Sequence, residues 1–187
     1  IDPLLKILGQ NNIKATFFVT GEWAERCFNS MKKLVDSGQE VMNASDKPSG
    51  MTSLFENDTI NLINAGGDKI QAITGKRPIF FRPPDGEYDD NLLETLALLD
   101  IYPIGWDVES FDIKGLDTGA IIKRVVSQSA SGSIIRFNAD GKNTLDALPG
   151  VIKQLNQKGY TFIPMSEMIH KDNYTINRLG RQISLGK

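Results

Sequence analysis

An α/β fold built on a parallel sheet is what the sequence predicts, and three observations predict it. Short apolar runs alternate with helical patterns about six times along the chain. The connections are short, and the strand runs are apolar on both sides, as strands are when helices cover both faces. At 187 residues, 40% hydrophobic and 24% charged, the chain can bury a sizeable core in one domain. Periodicity alone leaves an open doubly wound sheet and a closed barrel both standing.

The elements follow in order. ATFFVT (15–20) is rich in β-branched and aromatic residues and reads as a strand. MKKLVDSG (31–38) reads as a helix closed by Gly38, and EVM (40–42) as a short strand. DTINLINAGGDKIQAITG (58–75) is a helix weakened by Gly66 and Gly67 and ended by Gly75. IFF (79–81) is a strand, and DNLLETLALLD (90–100) sets Leu92, Leu93, Leu96 and Leu99 on one helical face. IYPIGWDV (101–108) reads as a strand, TGAIIKRVVSQSA (118–130) as a helix and GSIIRF (132–137) as a strand. NTLDALPGVIKQLNQKG (143–159) is a helix and YTFIPM (160–165) the last strand. Residues 1–170 are expected to form the domain. Residues 171–187, most of them the polar NYTINRLGRQISLGK, form an extension wrapped on the surface or loosely held.

Composition excludes several functions. A net charge of -2 and a pI near 5.5 give no electrostatic footprint for nucleic acid. No window holds the roughly 18 apolar residues of a membrane span. The chain starts at Ile1 and not Met, as a fragment or a processed chain does. Cys27 is the one cysteine, so no intrachain disulfide forms; with no second histidine to activate it, it reads as a helix-face residue. His170 is the one histidine. Zinc enzymes commonly take three ligands from His, Cys and carboxylate. A nitrogen- or sulfur-rich zinc site therefore cannot be assembled within this chain, and an oxygen-rich one is all that remains.

In parallel α/β folds, ligands sit at the carboxyl ends of the strands. Here those ends read NASDKPSG (43–50), RPPDGEY (82–88), WDVESFD (106–112) and RFNADGKNT (136–144), all rich in charged and small polar residues. Asp46 and Lys47 read as a solvated turn. Asp107 and Glu109, two residues apart, would share one strand face and could form an acid pair of the kind that cleaves glycosides; Glu109 reads more simply as structural or solvent-facing. By the same parity Arg136 and Asn138 both face the cleft.

The segments IKATFFVTGEWAER, GQEVMNAS, ITGKRPIFFRPPDGEYD, IGWDVESFD and GKNTLDALPGVIKQLNQKGYTFIPMSEMI stand in the order found in the polysaccharide deacetylases with a NodB-homology domain, carbohydrate esterase family four. The chain resembles that family from Ile1 to about Ile169. The resemblance implies a distorted (β/α) barrel, and hydrolysis of N- or O-acetyl groups on chitin, peptidoglycan or xylan. It also implies zinc or another divalent metal held by one Asp and two His, with a second Asp as base.

Carried over position by position, the resemblance implies a damaged site. The two metal histidines fall on Ala44 and Pro48, and the Asp-Asp motif would precede Ile1. The Arg-Pro-Pro-x-Gly motif is intact as Arg82, Pro83, Pro84, Asp85 and Gly86, with Tyr88 following. Arg82 would pair with the catalytic carboxylate, and the prolines would shape a sugar groove. Trp106, Asp107, Glu109 and Asp112 match the Trp-Asp-x-Asp-x-x-Asp motif, and a Leu-x-His motif falls on Arg136 and Asn138.

Arg82 and Asp112 are thus the family-matched catalytic positions. Pro84, Asp85, Gly86, Tyr88, Trp106, Asp107, Arg136 and Asn138 are the expected substrate-binding ones. The Arg136 guanidinium is expected to fill the volume of the lost metal and pair with Asp112 or Asp107. The expected protein is a metal-free, non-catalytic homologue at a bacterial cell surface, partnered by peptidoglycan or a chitin-like glycan. The alternative is a glycan hydrolase working through Asp107, Glu109 and Asp112. An active deacetylase seen without its first strand ranks last, since it too would lack both metal histidines.

Overall fold

A computed structural model describes residues 1–48 and 50–186. Ser49, in the 43–50 strand end, and Lys187, at the end of the tail, lie outside the described residues. Strands β1 (Thr16–Val19), β2 (Glu40–Asn43), β3 (Phe80–Phe81) and β4 (Tyr102–Pro103) form one parallel sheet in that order. Strands β5 (Val108–Glu109) and β6 (Ile135–Arg136) form a second parallel ladder, with Glu109 opposite Arg136. Helices α1 (Asp2–Gln10), α2 (Gly21–Arg26), α3 (Phe28–Asp36), α4 (Glu56–Thr74), α5 (Asp90–Leu98), α6 (Thr118–Gln128) and α7 (Thr144–Gln157) cover the strands. A short α8 (Met165–Met168) and a hairpin of β7 (Tyr174–Ile176) and β8 (Gln182–Ser184) complete the chain. The α/β class expected from the alternation is the class observed.

Local chemistry explains the element ends. Thr20, Asp89 and Asp117 cap α2, α5 and α6 by accepting hydrogen bonds from the N–H groups of Trp23, Leu92 and Ala120. Gly75 closes α4 in the left-handed conformation at φ 73°, as the sequence signalled. Gly66 has a further use that propensity hides. A side chain there would meet the Ser45 carbonyl oxygen at 2.6 Å and Asn43 Oδ1 at 2.7 Å, so glycine lets α4 lie against the loop after β2. Helices α1 and α2 go beyond what the sequence reading assigned.

Two strand expectations are corrected. Residues 101–108 form two strands in different ladders. Pro103 has no N–H to continue pairing, and Gly105 follows before β5 begins. YTFIPM (160–165) is extended but joins no ladder among the described residues. Phe162 packs against two core clusters, but an apolar run does not supply a hydrogen-bonding neighbour. Instead the Met165 N–H donates to Thr16 Oγ1 at 2.9 Å, and Thr16 Oγ1 donates to Glu40 Oε2 at 2.7 Å.

A groove of about 540 Å³ runs beside β1, lined by Thr16, Phe18, Arg82, Ile135, Tyr160 and Phe162 among others. The Ala15 and Val19 carbonyls accept bonds from Glu40 and Ala44, so the backbone groups of Thr16 and Phe18 face away from β2. The core is divided between both ladders. Val108, Ile121, Val125, Ala147, Val151 and Leu155 pack under β5 and β6. Met51, Ile63, Phe81, Leu92 and Leu96 pack under β3. No helix among the described residues is long and apolar enough to cross a membrane.

Candidate functional site

The sequence after β3 ends a buried strand with a cation, and the structure shows how that is tolerated. The Arg82 backbone N–H extends the ladder to the Asn43 carbonyl at 3.0 Å. Its Nε donates to the Ile104 carbonyl at 3.1 Å and its Nη2 to the Gly105 carbonyl at 3.0 Å. The guanidinium carbon lies 4.1 Å from the centre of the Phe18 ring and 5.5 Å from that of Trp106. No carboxylate among the described residues pairs with it, whereas the resemblance implied one. Burial, reinforced by the nearby Arg136 charge, pulls the Arg82 pKa down to about 10, which leaves it protonated at neutral pH.

Trp106 forms the floor between the two strand ends. Gly86, at φ 77°, turns the Pro83–Gly86 loop so tightly that a side chain there would strike the Trp106 ring. Tyr88 and Asp85 are exposed on the same loop, and Pro84 is half-buried.

Arg136, at the end of β6, stacks 4.2 Å from the Trp106 ring centre. Its Nη1 lies 3.4 Å from Glu109 Oε2, and its Nη2 donates to Asn138 Oδ1 at 3.4 Å. The expected pairing with Asp112 or Asp107 is therefore replaced by one with Glu109. The parallel register sets Glu109 directly opposite Arg136, and that register is invisible in either strand alone.

Asp112 is buried and saturated. Its carboxylate accepts from Thr144 Oγ1 at 2.5 Å, from Asn138 N at 2.9 Å, from Asn138 Nδ2 at 2.9 Å and from Ile113 N at 2.9 Å. Burial alone would raise this carboxyl, but the Thr144 and Asn138 hydrogen bonds outweigh it and hold it below the usual range. Thr144, at the start of α7, is the partner that sequence reading missed.

Asp107 is not part of this cluster. It precedes β5, accepts from Ile134 N at 2.7 Å and from Ser133 Oγ at 3.0 Å, and pairs with Arg181 of the terminal hairpin. The acid pair of Asp107 and Glu109 does not form. Two residues apart share a face only along a continuous strand, and β5 begins after Asp107. Asp46 is likewise corrected: it is buried rather than solvated, and pairs with Lys69 at 2.9 Å.

The positions that the resemblance assigned to metal ligands carry no donors: Ala44 is a buried methyl and Pro48 is an exposed ring. His170 is exposed beyond α8, where its backbone exchanges hydrogen bonds with the Gln182 side chain. Among the described residues, no group of three or more His, Cys, Asp and Glu side chains is placed to hold a metal ion.

Comparison with known proteins identifies the family. The family model "Polysaccharide deacetylase" matches residues 1–104. A peptidoglycan-N-acetylglucosamine deacetylase of Bacillus cereus is 31% identical over 88% of this chain and 62% of its own. The chain thus spans less than two thirds of that relative's length. A carbohydrate esterase family four pseudoenzyme from Bacillus anthracis superposes with a TM-score of 0.86 at 27% identity, over 89% of this chain and 59% of its own. A family four carbohydrate esterase from Streptomyces lividans, solved with acetate, superposes with a TM-score of 0.82 at 29% identity, over 98% and 90% of the two chains. The chain belongs to the polysaccharide deacetylase family.

Proposed function

We propose that the chain is a degenerate polysaccharide deacetylase: a glycan-binding or structural domain of the bacterial cell surface that does not hydrolyse acetyl groups through a metal. The observation that carries this reading is the donor set of the cleft. Where the family holds its metal between histidines, this chain has the Ala44 methyl and the Pro48 ring, and the strand ends present the Arg82 and Arg136 cations. Two guanidiniums repel a divalent cation, so the residues present do not fit one.

The remaining acids do not form a substitute machine. Glu109 is paired with Arg136, Asp112 is held ionised by four hydrogen bonds, and Asp107 is turned toward the hairpin. A general acid must carry a proton at working pH, and a base must have a free lone pair toward substrate. What the cleft retains is the means to bind: the Trp106 face, the exposed Tyr88 ring and the guanidinium donors.

The peptidoglycan deacetylase among its relatives supports a cell-wall glycan as partner and an extracellular or surface location. The test is acetate release from acetylated chitin oligomers and from peptidoglycan, with added zinc and with chelator, beside sedimentation of the protein with insoluble peptidoglycan. Co-sedimentation without acetate release is expected. Acetate release that disappears with chelator overturns the reading.

A further inference from the structure

The Arg82, Arg136 and Glu109 side chains are unequally matched. Two permanent cations share the Trp106 ring, and a single carboxylate, Glu109 beside Arg136, lies at ion-pair distance from them among the described residues. The other nearby acid, Asp112, keeps its charge, but its oxygens are turned to the Thr144 hydroxyl and to N–H groups of Asn138 and Ile113, and it pairs directly with neither guanidinium. Arg82 spends Nε and Nη2 on two carbonyls, and among the described residues its Nη1 has no hydrogen-bond partner. A carbonyl satisfies a guanidinium's donors but does not cancel its charge, and a partly buried charge without a counter-ion is costly. Arg136 and Glu109 keep 24% and 18% of their side-chain surface open, so a ligand can reach them.

We infer that this cleft is an anion site, and that the sugar it holds carries an oxyanion substituent, a carboxylate or a phosphate. This rests on the glycan-binding reading and narrows it to an acidic saccharide. Planar guanidinium forks match carboxylate and phosphate oxygens in geometry as well as charge. The ring of such a sugar lies against Trp106 or Tyr88, while its oxyanion accepts from Arg82 Nη1 and from Arg136. Glu109 competes for Arg136 and tempers the affinity.

The experiment titrates the protein by calorimetry with N-acetylmuramic acid, N-acetylglucosamine 6-phosphate, neutral N-acetylglucosamine and sodium acetate. The first two, or one of them, should bind at least about tenfold more tightly than the neutral sugar, with the advantage shrinking as salt rises; which of them wins identifies the oxyanion. Arg136→Leu should abolish the preference and Arg136→Lys retain part of it. Glu109→Gln should tighten acidic-sugar binding several-fold, a gain that a damaged fold does not produce. Equal affinity for neutral and acidic sugars overturns the inference and leaves glycan binding standing. Acetate binding as tightly as the acidic sugars removes the sugar from the reading and keeps only an anion site. No binding by any of the four sinks both.

Discussion

Glu109 and Arg136 face each other across adjoining parallel strands, and their side chains meet at 3.4 Å. Each is held on the wall of the cleft by the other, so removing either leaves a partly buried charge. Glu109→Ala and Arg136→Ala should each lower stability by about 1–2 kcal/mol, a Tm decrease of roughly 3–6 °C for a chain of this size. The double variant should cost less than the sum of the two, with a coupling of about 1 kcal/mol in a double-mutant cycle of thermal or urea denaturation.

Asp112 gives a pH signature. Its folded pKa lies below the ordinary value of 3.8, so its stabilising contribution is fully present above that value. The contribution is lost as pH falls through the folded pKa. Asp112→Asn turns an amide donor toward the Thr144 hydroxyl and the Asn138 N–H, and should cost about 1–3 kcal/mol at pH 7. The gap between the two proteins in urea denaturation should hold down to about pH 4 and narrow below it.

Gly86→Ala should be poorly tolerated for two separate reasons. The position has φ 77°, and a side chain there strikes the Trp106 ring. A cost of about 2–4 kcal/mol is expected from strain and overpacking together. Because Trp106 must move, its fluorescence maximum should shift as well. A variant with unchanged emission and full stability would mean that the loop does not press on the indole.

Arg181→Ala should loosen the hairpin without disturbing the cleft. Both partners of the Arg181–Asp107 pair are partly exposed, so it is worth about 0.5–1 kcal/mol. Tryptic cleavage after Arg178 should therefore accelerate about two- to fivefold, while the melting temperature of the domain changes little.

The sequence made the alternation of strands and helices legible because burial on both strand faces leaves apolar runs such as IFF, where Phe80 and Phe81 are both buried. It also marked the helix end at Gly75, where capping is local chemistry; the cap at Asp89 is equally local and went unread. What could not be read depends on distant pairing. The Glu109–Arg136 contact needs the register of two strands separated by α6, and the exclusion of Asp107 from the cleft needs the point at which β5 begins. The burial of Asp46 is set by Lys69 on α4 and by Gly21 on α2, where a side chain would strike Asp46 Oδ1, and neither is near it in sequence. The tail was expected as an extension; its hairpin turns on Asn177, whose Oδ1 accepts from the N–H groups of Leu179 and Arg181, and on Gly180 at φ 73°, a local signal that sequence reading passed over.

The hydrogen bond from Met165 to Thr16 joins residues 149 positions apart, and it secures the start of α8 to the first strand. Chain emerging from the ribosome therefore cannot complete this wall until residue 165 has been synthesised. Closure of so long a loop is entropically late, so folding should be slow compared with helical proteins of equal size. A nascent chain halted before residue 160 should remain protease-sensitive, and resistance should appear once residues 160–165 have cleared the ribosome.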